Sequence, residues 1–188
     1  MRIFDFLKKR TEDKFDYTGT KREALGLFKA KNFLEALPLF DKAAQKNINS
    51  DDWFNLASCA ILCRDIDKGH DALSKAINLY NKTGNENSLP VGMMCFYFMQ
   101  ALRDVSEFDL GFVQLMKLKD VYTDLKITDD MFLHMRGLPF LGQLLDSSVL
   151  ILKNQKIADS TQWLSEFSQN VDDEGKEVVQ SFIKRNGF

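Results

Sequence analysis

One pattern of apolar and small residues occurs twice in the first half of the chain, and the two copies lie 33 residues apart. The copies are Phe33, Ala36, Phe40 and Ala43, and then Ile66, Gly69, Leu73 and Ala76. Spacings of three and four place such positions on one face of a helix rather than on one face of a strand. A fixed period between about 20 and 50 residues indicates repeated structural units that stack on one another. The sequence therefore predicts an all-α fold built from helical hairpins.

Four helices are predicted between about Lys21 and Lys82. In the first hairpin the turn falls near Lys31 and Asn32, and Pro38 is expected early in the second helix, where its missing N–H is tolerated. The second hairpin is expected to open at Ser50 as an N-cap. The acidic pairs at residues 51–52, 129–130 and 172–173 each precede a predicted helix, which capping and the helix dipole explain.

A third, weaker hairpin is predicted after an exposed polar loop at 82–90, with helices at 91–103 and 108–122. Beyond Thr128 the pattern predicts a short helix at 129–135 and an apolar helix at 140–152. Two amphipathic helices then close the chain. With 10 Gly and 3 Pro among 188 residues, few turns interrupt these elements. We expect one domain over 1–188, divided into an N-terminal amphipathic segment (1–16), repeats (17–125), and a degenerate repeat with capping helices (126–188).

The second predicted hairpin carries a motif that resembles a known repeat family. Trp53, Leu56, Ala57 and Ala60 stand at the spacing of the W-x2-L-G-x2-Y element of tetratricopeptide repeats, and Ala36-x3-Phe40 matches the second-helix element. The proline that ends each repeat in the family is replaced by Ile48 and Asn81. The resemblance covers about residues 17–125. It implies an α-solenoid of about three hairpins with a helical C-terminal cap.

In tetratricopeptide proteins, the first helix of each repeat lines a concave groove that binds a protein or peptide. The residues that the resemblance places on this groove are Lys21, Leu25, Phe28, Phe54, Ser58, Ile61, Phe96, Gln100 and Arg103. Many are apolar, and exposed apolar clusters mark partner sites. Two alternatives are that a C-terminal helix of the same chain fills the groove, or that the protein self-associates through it.

Some family members grip a C-terminal carboxylate with a clamp of Lys and Asn residues. Lys21 and Asn55 match two of those clamp positions. Leu25, Met93 and Tyr97 replace the other three, so the resemblance does not imply this activity.

The opening MRIFDFLKKR is aromatic and basic, and it resembles the start of small bacterial proteins that neutralise a neighbouring toxin. This resemblance implies, as an alternative function, an immunity protein whose partner is a toxin domain. The same residues also form an amphipathic segment that could pack on the first repeat. A third interpretation is a membrane-surface anchor, although ten residues bind a membrane weakly on their own.

The sequence offers little that could support catalysis. His70 and His134 are far apart, and Cys59, Cys63 and Cys95 lack the spacing of a closed zinc site. The glycines occur singly, without a phosphate-binding or dinucleotide-binding motif. We therefore predict a non-enzymatic protein without cofactor or metal. A hydrolase using His134 with Asp129 and Asp130, in the C-terminal third, is the alternative from another class.

Charge and cysteine content indicate which cellular compartment and which classes of partner to expect. Residues 1–31 carry nine basic and five acidic side chains in a chain of net charge −2, an asymmetry too small to predict nucleic-acid binding. An odd number of cysteines without a paired framework favours a reducing compartment. No apolar run has the length of a signal peptide or a membrane span. We expect a cytoplasmic protein without stable membrane insertion.

Overall fold

The computed structural model describes residues 15–84 and 87–188. Within these residues the chain forms ten α-helices and no strand, which confirms the all-α class. The helices are α1 Tyr17–Lys29, α2 Phe33–Ala44, α3 Ser50–Leu62, α4 Ile66–Thr83, α5 Val91–Asp104, α6 Phe108–Leu125, α7 Asp130–Met135, α8 Leu141–Lys153, α9 Ile157–Gln169 and α10 Asp173–Asn186. The opening MRIFDFLKKR, on which the amphipathic, immunity and membrane-surface interpretations depend, lies outside the described residues.

The first three hairpins share one turn. Lys31, Arg64 and Ser106 adopt φ values of 62°, 63° and 65°, in the left-handed region, although none of them is glycine. The next residue in each turn donates its amide to a carbonyl five residues earlier, at 2.9 Å in all three cases. This hydrogen bond is that of the Schellman motif, which satisfies a carbonyl at the end of a helix. The sequence period therefore corresponds to a repeated backbone geometry.

The helices pair as α1 with α2, α3 with α4, and α5 with α6, and successive hairpins meet through α2 with α3 and through α3 with α5. Small residues permit close approach within a hairpin. A Cβ built on Gly69 of α4 would lie 2.5 Å from Ile61 Cδ1 on α3, so a glycine is required for this spacing. The described chain is thus a helical repeat-like fold.

Two buried clusters form the core, and α5 contributes to both. Met94, Phe98 and Leu102 of α5 belong to the first cluster, which they share with α1 to α4. Phe96 and Met99 belong to the second cluster, which continues into the C-terminal helices. Beyond the third hairpin, α8 packs on α5 and α6, and α10 packs on α8 and α9. The C-terminal helices therefore lie directly against the third hairpin.

Helix starts show where the sequence predictions need correction. Asn49, not Ser50, caps α3 by accepting the Asp52 amide at 3.0 Å. Asp129 and Asp172 cap α7 and α10 as predicted. The pair at 51–52 differs, because Asp52 is buried and Asp51 Oδ1 accepts the Leu89 amide at 2.9 Å.

Pro38 also differs from its predicted position. It is the sixth residue of α2, which begins at Phe33, and so lies beyond the first turn. A residue at this position would ordinarily donate its N–H to the carbonyl four residues earlier. The helix therefore lacks one internal hydrogen bond there.

Candidate functional site

A pocket of about 290 Å³ lies where the first helices of the three hairpins meet. We call it the groove pocket. Its lining residues are Phe28 of α1, Asn55, Phe54, Ser58 and Leu62 of α3, and Tyr97, Gln100, Ala101 and Asp104 of α5. The lining combines an apolar interior with polar residues. Each wall comes from a different hairpin, so the pocket depends on how the hairpins stack.

Four of the nine predicted groove residues line this pocket: Phe28, Phe54, Ser58 and Gln100. Phe28 is held by edge-to-face contacts with Phe33 and Phe40 of α2, at ring-centroid distances of 5.2 and 5.8 Å. Ser58 is only 8% exposed, and its hydroxyl oxygen has no hydrogen-bond partner within the described part of the chain.

On α5 the structure corrects the predicted face by one residue. Phe96 is fully buried in the second core cluster, and the exposed aromatic beside it is Tyr97, which is 40% exposed and lines the pocket. Asp104 lines the pocket in place of Arg103. One residue corresponds to about 100° of rotation around a helix. Phe96 and Arg103 therefore lie on neighbouring faces of α5, whereas Gln100 lines the pocket.

The neighbouring face of α5 is covered by the chain itself. Gln100 Nε2 donates to Ser147 Oγ of α8 at 2.9 Å, and Arg103 Nη1 donates to the Ser147 carbonyl at 3.2 Å. α8 therefore packs against the face of α5 that carries Arg103. The groove pocket lies beside this contact and is lined by Tyr97, Gln100, Ala101 and Asp104 of the same helix.

Two further predicted residues do not line the groove pocket. Ile61 is 0% exposed and packs against Gly69, so its side chain is not available to a partner in this structure. Leu25 is partly buried against the first core cluster. Leu62 takes the pocket position that Ile61 was expected to hold.

Lys21 is engaged within the fold. Its Nζ lies 2.7 Å from Asp52 Oδ1, and the carboxylate of Asp52 is only 1% exposed. Tyr17 also donates its hydroxyl to Asp52. Burial alone would lower the pKa of Lys21, but the hydrogen bond and charge of Asp52 outweigh it and raise that pKa. The ammonium group therefore neutralises an internal carboxylate, and it is not free to bind a carboxylate of a partner.

The rim of the groove pocket carries little net charge. Asp104 is paired with Arg103, whose Nη2 and Nε lie 2.7 and 3.0 Å from Asp104 Oδ1. Asn55 and Gln100 add neutral amides. Recognition at this pocket would therefore depend on apolar contact and hydrogen bonds more than on charge attraction.

The cysteines are free thiols within the helical core. Burial, with the adjacent Cys63, raises the pKa of Cys59 to about 12, and the Cys59 Sγ lies 3.3 Å from the Phe33 carbonyl oxygen. Burial also raises the pKa of Cys95. These thiols stay protonated near neutral pH and are poor nucleophiles or metal ligands in that state.

The residues considered for catalysis lie at or within α7. Asp129 uses its carboxylate to accept the Phe132 amide at 2.8 Å, while Asp130 and His134 are exposed on the one-and-a-half-turn helix α7. In the described ranges, no three His, Cys, Asp or Glu side chains are grouped as metal ligands. Likewise, none of the described helices has the length and apolar character needed to cross a membrane.

Comparison with protein-family models, with curated proteins and with solved structures found no match to this chain.

Proposed function

We propose that this chain is a tetratricopeptide-like repeat protein that binds a segment of another protein or peptide, with one apolar side chain of that segment anchored in the groove pocket. The observation that carries the proposal is the pocket itself. It is lined by the first helices of three successive hairpins, where a solenoid of this type would have its concave groove.

The dimensions of the pocket support a side chain as its occupant. At about 290 Å³ the pocket is large enough to hold one side chain of a bound segment. Protein interfaces commonly place one aromatic or aliphatic anchor in such a pocket and surround it with polar contacts. Phe28, Phe54 and Tyr97 provide aromatic walls, and Asn55 adds a polar amide.

The three hairpins are held together before any partner arrives, which supports tight binding. Successive hairpins share one core cluster, and Asp52 links α3 to Lys21 of α1. A preorganised surface loses less conformational entropy on association than a loose one. The three free cysteines support a reducing compartment such as the cytoplasm as the place where binding occurs.

Tyr97 provides the sharpest test, because it lines the pocket and is exposed enough to be changed without emptying the core. Tyr97→Ala should weaken partner binding by about tenfold, the loss expected when an aromatic hot spot is truncated. Tyr97→Phe retains the ring and should bind nearly as well as the wild type. Ile157→Ala, at an 86% exposed residue of α9, is the matched control.

The measurement has two stages. Proteins retained from an extract of the source organism are quantified for the wild type and the three variants, and the protein lost only with Tyr97→Ala is purified and titrated calorimetrically. Equal retention by all four proteins, each with an unchanged helical spectrum, would remove the groove pocket from the function.

A further inference from the structure

A second pocket, of about 320 Å³, lies on another part of the molecule, between the α5–α6 hairpin and the turn that follows α7. We call it the basic pocket. Its apolar lining consists of Val91, Leu118, Val121, Leu125 and Leu138. None of these side chains lines the groove pocket. The two pockets therefore present separate binding surfaces.

Two glycines allow the turn after α7 to close this pocket. Gly137 has a φ of 68°, which brings the chain back towards α5. A Cβ on Gly92 would lie 2.5 Å from Leu138 Cδ2 and 2.8 Å from the Gly137 carbonyl oxygen. The hydroxyl of Tyr122 donates to the Pro139 carbonyl and fixes the turn from the other side. The pocket is thus a defined feature of the packing.

Two cations border this apolar space, Lys117 from α6 and Arg136 from the turn. Both are exposed, and neither forms an ion pair with any acidic side chain among residues 15–84 and 87–188. The charge of Lys117 also acts on Cys95, which lines the pocket. Burial raises the pKa of Cys95, and the positive charge of Lys117 offsets part of that increase. Arg136 Cζ lies 5.2 Å from the centroid of the Phe132 ring, a contact that leaves its charge without an anion. Cations without an acidic partner beside an apolar cavity are complementary to a ligand with an anionic head and an apolar body.

We propose that the basic pocket binds a small anionic amphiphile, a carboxylate with an aliphatic body, whose carboxylate contacts Lys117 and Arg136 while its chain lies against Val121, Leu125 and Leu138. At about 320 Å³, the pocket lies at the lower end of the ~300–1,000 Å³ range of small-molecule sites. This size matches a medium-chain carboxylate rather than a long-chain lipid. The site is independent of the groove pocket and of the function proposed for it.

Sodium octanoate is a suitable probe, and octylammonium is its counterpart of opposite charge. Octanoate should bind once per chain in isothermal titration calorimetry, and octylammonium should not bind. Lys117→Met and Arg136→Met should each weaken octanoate binding up to about fivefold, the factor that corresponds to one exposed ion pair. The double variant should weaken it by about tenfold or more. Lys153→Met, which removes an exposed cation from α8, should leave octanoate binding unchanged.

Cys95 provides a second readout that reports the location of the ligand, because its thiol lines the pocket. Octanoate should slow alkylation of Cys95 by iodoacetamide and leave alkylation of Cys63 unchanged, as followed by peptide mass spectrometry. The proposal is overturned by the absence of saturable octanoate binding, or by equal binding of octylammonium. It is overturned as well if the double variant binds as tightly as the wild type, or if octanoate does not protect Cys95.

Discussion

Removing the ammonium group of Lys21 should weaken the contact between α1 and α3. The Lys21 Nζ lies 2.7 Å from the Asp52 carboxylate, which is 1% exposed, and Tyr17 on the same helix donates to that carboxylate. These contacts link the two helices that hold Phe28 and Phe54, the neighbouring walls of the groove pocket. Lys21→Met keeps most of the aliphatic stem and deletes the charge. The variant therefore isolates the ion pair.

The size of the effect follows from burial. Truncating one partner of a fully buried ion pair costs about 3–5 kcal/mol, because the remaining charge is left buried. The Lys21 side chain is 27% exposed, and Tyr17 still donates to Asp52 in the variant. We therefore expect the free energy of unfolding to fall by about 2 kcal/mol. Lys29→Met, at an exposed position of the same helix, should change it by less than about 0.5 kcal/mol.

Urea unfolding followed by circular dichroism measures the free energy of unfolding of the wild type, Lys21→Met and Lys29→Met. Adding Asp52→Asn to Lys21→Met removes the uncompensated charge and should recover part of the lost stability, so that the two changes are not additive.

The pKa of Lys21 is raised above its ordinary value of 10.5, so the contribution of the pair is present below pH 10.5 and is lost as the pH rises through the raised pKa. The difference between wild type and variant should shrink above that pH. A loss for Lys21→Met no larger than for Lys29→Met would refute the reasoning.

Four further predictions concern packing, capping, thiol chemistry and charge. Gly69→Ala should destabilise the protein by about 1 kcal/mol, because the new methyl group meets the buried Ile61. Gly26→Ala meets no atom within 4 Å and should stabilise α1 by about 0.5–1 kcal/mol. Thermal unfolding distinguishes the two variants. Asp172→Ala removes the N-cap of α10, with its 2.9 Å bond from the Gly175 amide, and should lower the free energy of unfolding by about 1–2 kcal/mol in urea. At pH 8, iodoacetamide should alkylate Cys59 far more slowly than Cys63 in the folded protein, since burial raises the pKa of Cys59 to about 12; equal rates in peptide mass spectrometry would contradict that burial. Partner affinity at the groove pocket should change little between about 50 and 200 mM salt, and a steep decrease would indicate recognition by charge.

The sequence was most informative about the helices and turns. The 33-residue offset identified hairpins whose turns share one left-handed residue, and the predicted helix at 91–103 corresponds to Val91–Asp104. This success has a local cause, because apolar spacing and turn position are set within a single helical hairpin. The identity of the turn residues was less predictable, since Lys31, Arg64 and Ser106 take a conformation that usually favours glycine.

The candidate site was only partly predictable, because it depends on contacts between distant segments. The face of α5 that lines the groove is rotated by one residue from the predicted face, since α8 occupies the side that carries Arg103. Periodicity alone does not specify which of two adjacent helix faces meets a later helix. The burial of Asp52 was missed for a related reason: an acidic residue in a first turn is usually explained by the helix dipole, and its partner Lys21 lies on another helix.

Photo-crosslinking from position 97 tests the central claim most directly. Benzoylphenylalanine introduced at Tyr97 places a reactive group at the groove pocket, and the same residue at Ile157 serves as the control on an exposed part of α9. On irradiation in an extract of the source organism, the Tyr97 probe should form one dominant covalent adduct, mapped by mass spectrometry to an apolar residue of a partner segment. A synthetic peptide of that segment should suppress the adduct. Identical adducts from both positions, or crosslinks from position 97 only to the chain's own helices, would contradict the proposed binding function.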